Sequence, residues 1–223
     1  MLAGIGLTYL TRGKDGRRDY WRRVIDIRRI KLNWYLFILL FVPTATLIAS
    51  MLDILMGGSG STLEKAALTI INTPLSIIPF ILYIFIGGPF VEELGWRGYV
   101  LDRLQAKWNA LISSLILGNL WALWHLPLFY IKGTYQYGVG AGTLSFWLFM
   151  INTVSGAILF TWIFNNTNRS TLAAMLFHFM GNFTGELIAA TKNTEIFLTI
   201  LWVLTSVIIT FLWGKRTLTR VHE

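Results

Sequence analysis

Residues 34–56 read WYLFILLFVPTATLIASMLDILM, a run with a single charged side chain, Asp53. As an α-helix rising about 1.5 Å per residue, the run is long enough to cross a hydrocarbon core of about 30 Å. Five further apolar runs follow at 66–91, 109–131, 145–164, 171–190 and 196–213. A helix satisfies its own backbone polar groups, as lipid demands. The pattern therefore predicts an all-α fold, a polytopic transmembrane bundle of about six spanning helices preceded by an N-terminal amphipathic helix. Composition agrees: 55% of the 223 residues are apolar and only 13% charged, about half the charged share of a soluble domain. With no internal repeat and no low-complexity linker, 1–223 reads as one transmembrane domain. It comprises a basic, interfacial segment (1–33), the helical bundle (34–213) and a tail (214–223). The absence of cysteine excludes disulfides, thiolate metal sites and a cysteine nucleophile. No cleavable signal is recognisable, and the apolar stub Met1–Leu10 reads as the end of a helix that starts further upstream.

The net charge of +8 points to a membrane surface rather than to nucleic acid. Nine of the 19 Lys and Arg residues lie between Arg12 and Lys31, interleaved with Tyr20, Trp21, Val24, Ile25, Ile27 and Ile30. That is the signature of an amphipathic helix lying on anionic membrane lipids. With the N-terminus inside, the inside segments carry sixteen Lys and Arg: nine in 12–31, then Arg97, Arg103, Lys107, Arg169, Lys215, Arg216 and Arg220. The outside segments carry only Lys65, Lys132 and Lys192. This asymmetry predicts a multi-pass protein of the cell membrane with both termini cytoplasmic.

Ionisable and strongly polar groups at membrane depth are costly and so mark candidate function. They concentrate at three places: Glu92, Glu93 and Arg97; His125; and His178 with Asn182. Glu93 and Arg97 are four apart and share a helix face, which suits an ion pair. Glu92 points about 100° away, making it the better candidate for a base facing a cavity, with Glu93 and Arg97 as support. His178 and Asn182 also project together, and Trp121 stands one turn before His125. Any one of these groups reads equally well as interhelical glue, and Asp53 and Glu186 read as structural. Gly87-Gly88-Pro89 reads as a break between the second span and a new helix beginning near Phe90. That boundary leaves Glu92 at the rim while His125 lies about 20 Å into its own helix, so the two meet only if the helix carrying Glu92 starts deeper.

Glu92-Glu93-Leu94-Gly95-Trp96-Arg97 matches the E-E-x-x-x-R motif of the CAAX prenyl endopeptidase and bacteriocin-processing (CPBP) intramembrane proteases. Trp121-Ala122-Leu123-Trp124-His125 resembles the family's F-x-x-x-H motif, with Trp in place of Phe. His178-Phe179-Met180-Gly181-Asn182 matches its H-x-x-x-N motif. The resemblance implies a membrane endopeptidase that cuts near the C-terminus of a membrane-associated protein or peptide, a prenylated CAAX protein in eukaryotic relatives. On this reading the catalytic set is Glu92, Glu93, Arg97, His125, His178 and Asn182. Glu92 is the general base, His125 helps orient water, and His178 and Asn182 donate to the oxyanion. Glu92, His125 and His178 also contain the donor types of a zinc site, but His-Glu-x-x-His is absent and the metal-free glutamate mechanism is favoured. Two other readings compete: a non-catalytic immunity or peptide-binding protein of the same fold, and a proton-coupled transporter using the same groups as a relay.

Overall fold

A computed structural model describes residues 1–220; His222 and the end of the tail lie outside the described residues. Two N-terminal helices, α1 (Leu2–Thr11) and α2 (Lys14–Ile25), precede the first crossing helix α3 (Leu32–Leu55). A short helix α4 (Lys65–Asn72) leads into α5, a continuous run from Pro74 to Gln105. Helix α6 (Ala110–His125) continues as a 3-10 turn to Tyr130, and α7 (Tyr135–Val139) caps the loop beyond it. Helices α8 (Leu144–Asn166), α9 (Thr171–Leu187) and α10 (Lys192–Trp213) complete the bundle. The starts of α6, α8, α9 and α10 are fixed by Asn109, Thr143, Ser170 and Thr191, whose side chains accept from backbone N–H groups of the first turn.

Among the described residues five helices, α3, α5, α6 with its 3-10 continuation to Tyr130, α8 and α10, are long and apolar enough to cross a membrane. The sixth apolar run forms α9, which has 17 residues. Its Ala173, Ala174 and Phe177 are buried in the core with Ile38 and Val42 of α3 and with Ile158, Leu159 and Ile163 of α8. The chain is thus a polytopic all-α bundle, and the leucines and isoleucines left exposed on the outer faces of the crossing helices, such as Leu36, Leu40, Leu123 and Ile208, suit lipid. Because lipid is as apolar as leucine, close packing holds such helices together. At Gly118 of α6 an added Cβ would lie 2.9 Å from Ala157 Cβ and from Val154 Cα of α8, so glycine sets that spacing.

The second span differs from its sequence reading at both ends. The chain bends at Thr73 (φ −138°, ψ 79°), where the following Pro74 disfavours helical backbone, so α4 is separate. Gly87-Gly88-Pro89, by contrast, does not break the helix. Ile86–Phe90 forms a π-turn, a second follows at Trp96–Val100, and the helix runs on to Gln105. A π-turn absorbs the proline, whose ring clashes with the preceding turn and whose nitrogen has no proton to donate. Glu92 therefore sits deep inside a 32-residue helix rather than at its end.

The basic N-terminal segment also departs from expectation. Instead of lying free on a surface, α2 docks on the bundle. Tyr20 is fully buried, and its hydroxyl donates to the Leu94 carbonyl at 2.9 Å. Burial pushes the Tyr20 hydroxyl up to about 12, which keeps it a neutral donor. Asp102 of α5 accepts from Arg12 and Arg23, both at 2.8 Å, and pairs with Arg169. The apolar face of α2 thus meets protein, and part of its charge is neutralised internally, while Lys14, Arg18, Arg22, Arg28 and Lys31 stay exposed. At this end Arg29 donates to the Asn168 carbonyl and Ala110 N–H to that of Arg216. At the opposite end Thr62–Leu63 pairs antiparallel with Ile188–Ala189. There Asp53 accepts from Gly60 N–H and the Thr191 hydroxyl, the structural role read for it.

Candidate active site

The π-turns of α5 set the site. The i,i+4 spacing brings Arg97 back onto Glu93, and one guanidinium nitrogen donates to both carboxylate oxygens at 2.9 and 3.0 Å. Both side chains are 0% exposed. A charge in such a place must be paired, since an isolated one costs several kcal/mol. The guanidinium also lies 4.1 Å from the ring centre of Phe160 and 4.6 Å from that of Trp121, so aromatic faces stand where the arginine's remaining nitrogens find no acceptor. From α9, His178 Nδ1 meets Glu93 Oε1 at 2.9 Å. Glu93 is consequently saturated, bridging the arginine of its own helix to the imidazole of another.

Glu92 is placed differently. Its Oε2 accepts from the Trp121 indole N–H at 2.7 Å. Its Oε1 borders the gap left by Gly88: a Cβ built there would lie 4.0 Å from Oε1 and 3.1 Å from Asn182 Nδ2. One carboxylate oxygen is thus held, and the other faces space shared with the Asn182 amide. His125, one turn after Trp121, places Nδ1 2.8 Å from the Trp121 carbonyl. A carbonyl only accepts, so Nδ1 carries the proton and Nε2 is left for other partners. The His125 and His178 rings lie 5.9 and 5.3 Å from the Trp121 ring.

Glu92, Arg97, His125 and His178 therefore meet around Trp121, from helices α5, α6 and α9, with Glu93 joined through Arg97 and His178 and Asn182 across the Gly88 gap from Glu92. The depth mismatch between Glu92 and His125 disappears because α5 extends past Glu92. Glu186 is exposed near the end of α9, and Asp53 belongs to the opposite end of the bundle. The donor set does not fit a zinc ion: among the described residues no three His, Asp or Glu side chains stand close enough to share one. Both Glu93 oxygens are engaged and Glu92 has one free.

Two features of the site were not legible as such. Trp121 reads in the sequence as packing beside His125, but its N–H is bound to Glu92. Phe160, which faces Arg97, is one of four phenylalanines in α8, and nothing in the sequence sets it apart.

Residues 74–184, which contain all three motifs, match the family model described as type II CAAX prenyl endopeptidase Rce1-like. The chain is also 29% identical over 187 residues to the protein named CAAX prenyl protease 2 of Methanococcus maripaludis, covering 83% of this chain and 68% of the relative.

Proposed function

Because the chain belongs to the Rce1-like family of CAAX prenyl endopeptidases, we propose that it is an intramembrane endopeptidase in which Glu92 activates the attacking water. The observation that carries this reading is the contrast between adjacent carboxylates. Glu93 is saturated by Arg97 and His178, whereas Glu92 keeps one oxygen for a proton. Water above Gly88 gives a proton to Glu92 Oε1 as its oxygen bonds to the scissile carbonyl carbon. The carbonyl π electrons move onto oxygen, where Asn182 Nδ2–H donates to the developing charge. His178 Nε2 donates to it as well when the ring carries both protons, Nδ1 being held by Glu93. His125 Nε2 orients the water. The tetrahedral species then collapses, the C–N bond breaks, and the proton held by Glu92 passes to the leaving amine.

The substrate on this reading is a membrane-associated protein or peptide cut near its C-terminus, a prenylated CAAX sequence first among candidates. The protein then sits in the cell membrane as one domain, and the Arg- and Lys-rich end, with both termini, faces the cytoplasm. Membranes containing the wild-type protein or Glu92→Gln are compared by mass spectrometry of peptide C-termini and by cleavage of a farnesylated CAAX peptide. Wild type should generate new termini, and the variant should lose about a hundredfold or more in rate. Equal cleavage of the peptide by both would sink the assignment of Glu92, and failure of wild type to cleave it together with the absence of any difference in termini would sink the peptidase.

A further inference from the structure

We propose that Trp121 is a positioning residue: its indole N–H pins Oε2 of Glu92, and this makes Oε1 the oxygen that receives the proton from water. The inference rests on the reading of Glu92 as the general base and deepens it. An indole nitrogen is a donor only, so at 2.7 Å from Oε2 the bond has one possible direction, and a charged acceptor makes it strong and short. A pin is useful only if it is itself fixed, and Trp121 is. The ring is buried, with the Arg97 guanidinium 4.6 Å from its centre. It packs edge-to-face with Phe160 at 5.4 Å and 87°, and with His178 at 5.3 Å. Arg97 is in turn locked to Glu93, so the charge network and the indole hold one another.

Glu92 has three rotatable side-chain bonds and, unpinned, would present either oxygen in several orientations. With Oε2 tied, the carboxylate plane is set and Oε1 is directed to the gap over Gly88, opposite the Asn182 amide. The two oxygens of one glutamate thereby acquire different tasks. Placement of this kind enters the turnover step rather than substrate affinity, because it fixes the approach of the reacting atoms.

The test uses the full chain in proteoliposomes with two changes. Trp121→Phe keeps an aromatic ring and removes the N–H. Replacement of Trp121 by 3-benzothienylalanine keeps the bicyclic shape and substitutes sulfur for N–H, so it carries the test if the phenylalanine variant does not fold. Kinetics are measured with a farnesylated CAAX peptide. In parallel, infrared difference spectra identify the Glu92 carboxylate stretch as the band lost in Glu92→Gln. Both variants should lose about tenfold to a hundredfold in kcat, the worth of one hydrogen bond to a charged group, with KM within about twofold, and the Glu92 band should move. Wild-type kcat in the isosteric variant would overturn the proposal, as would a rise in KM at constant kcat, which marks Trp121 as a wall of the substrate site. Should wild type itself cleave nothing, the peptidase reading fails, while the infrared band still decides whether the indole holds Glu92: an unmoved band removes the pin.

Discussion

Two carboxylate clusters on the same helix, centred on Glu93 and on Asp102 nine residues later, invite comparison. Asp102 near the end of α5 is surrounded by arginines from three different segments, Arg12, Arg23 and Arg169. Glu93 deeper in α5 is surrounded by Arg97 and His178. Both acids are saturated, and saturation makes each a scaffold element rather than a reactant. What differs is the way out. Arg169 is half exposed, so a guanidinium released from Asp102 can turn to water, whereas Arg97 and Glu93 have no exposure at all. The deep cluster must be complete, and the carboxylate beside it, Glu92, is the one left incomplete. An unspent acceptor beside a rigid, fully paired network is what general-base chemistry needs.

The sharpest way to break the comparison is Arg97→Met. It leaves the buried Glu93 with the His178 imidazole as its one remaining partner, and we expect a loss of about 3–5 kcal/mol in stability. Thermal unfolding in detergent should report a strongly lowered midpoint and cleavage should vanish. In the double variant Arg97→Met/Glu93→Leu no charge is stranded, so stability should largely return while activity does not. A double variant no more stable than Arg97→Met would show that the pair does more than neutralise itself.

Next in size is Gly88→Leu, which fills the gap between Glu92 Oε1 and Asn182 and touches neither cluster. Cleavage should fall by about a hundredfold, the cost of displacing reacting groups by an ångström, with the unfolding midpoint nearly unchanged. Retained activity would mean that the reacting water does not sit over Gly88.

These expectations also mark what the sequence could and could not say. The crossing helices were readable because lipid imposes composition on every turn of α3, α8 and α10, and the Glu93–Arg97 pair because i,i+4 spacing alone places both on one face. The depth of Glu92 was not readable. Gly87-Gly88-Pro89 ends a helix in most contexts, and only the π-turn carries it through. Nor was the docking of α2, since an apolar stripe beside a basic one reads the same whether Tyr20 meets lipid or the Leu94 carbonyl. The His178–Glu93 bond joins residues 85 positions apart, beyond any local pattern, and an indole N–H leaves no trace in a hydrophobicity profile.

Asp102→Asn probes the shallow cluster. It frees Arg169, which is half exposed and can turn to water, while Arg12 and Arg23, only 12% and 9% exposed, lose a charged partner and Arg23 keeps Asp19. The cost should therefore be about 2 kcal/mol, read as a drop in midpoint smaller than that of Arg97→Met. Cleavage should stay within about twofold of wild type. A collapse comparable to that of Arg97→Met would erase the distinction between the two clusters.

The smallest effect is expected from chelation. An ion at this site would need three donors, yet Glu93 is held on both oxygens and Glu92 on one. Admitting a metal would therefore mean breaking either the Trp121–Glu92 bond or the buried network on which Glu93 depends. Exhaustive treatment with phenanthroline and EDTA, with metal content checked by mass spectrometry, should leave the rate of farnesylated-peptide cleavage within about twofold of the untreated enzyme. Loss of activity restored by zinc would show that Glu92 releases the indole to bind an ion, and the free oxygen of Glu92 would then be a ligand position rather than a base.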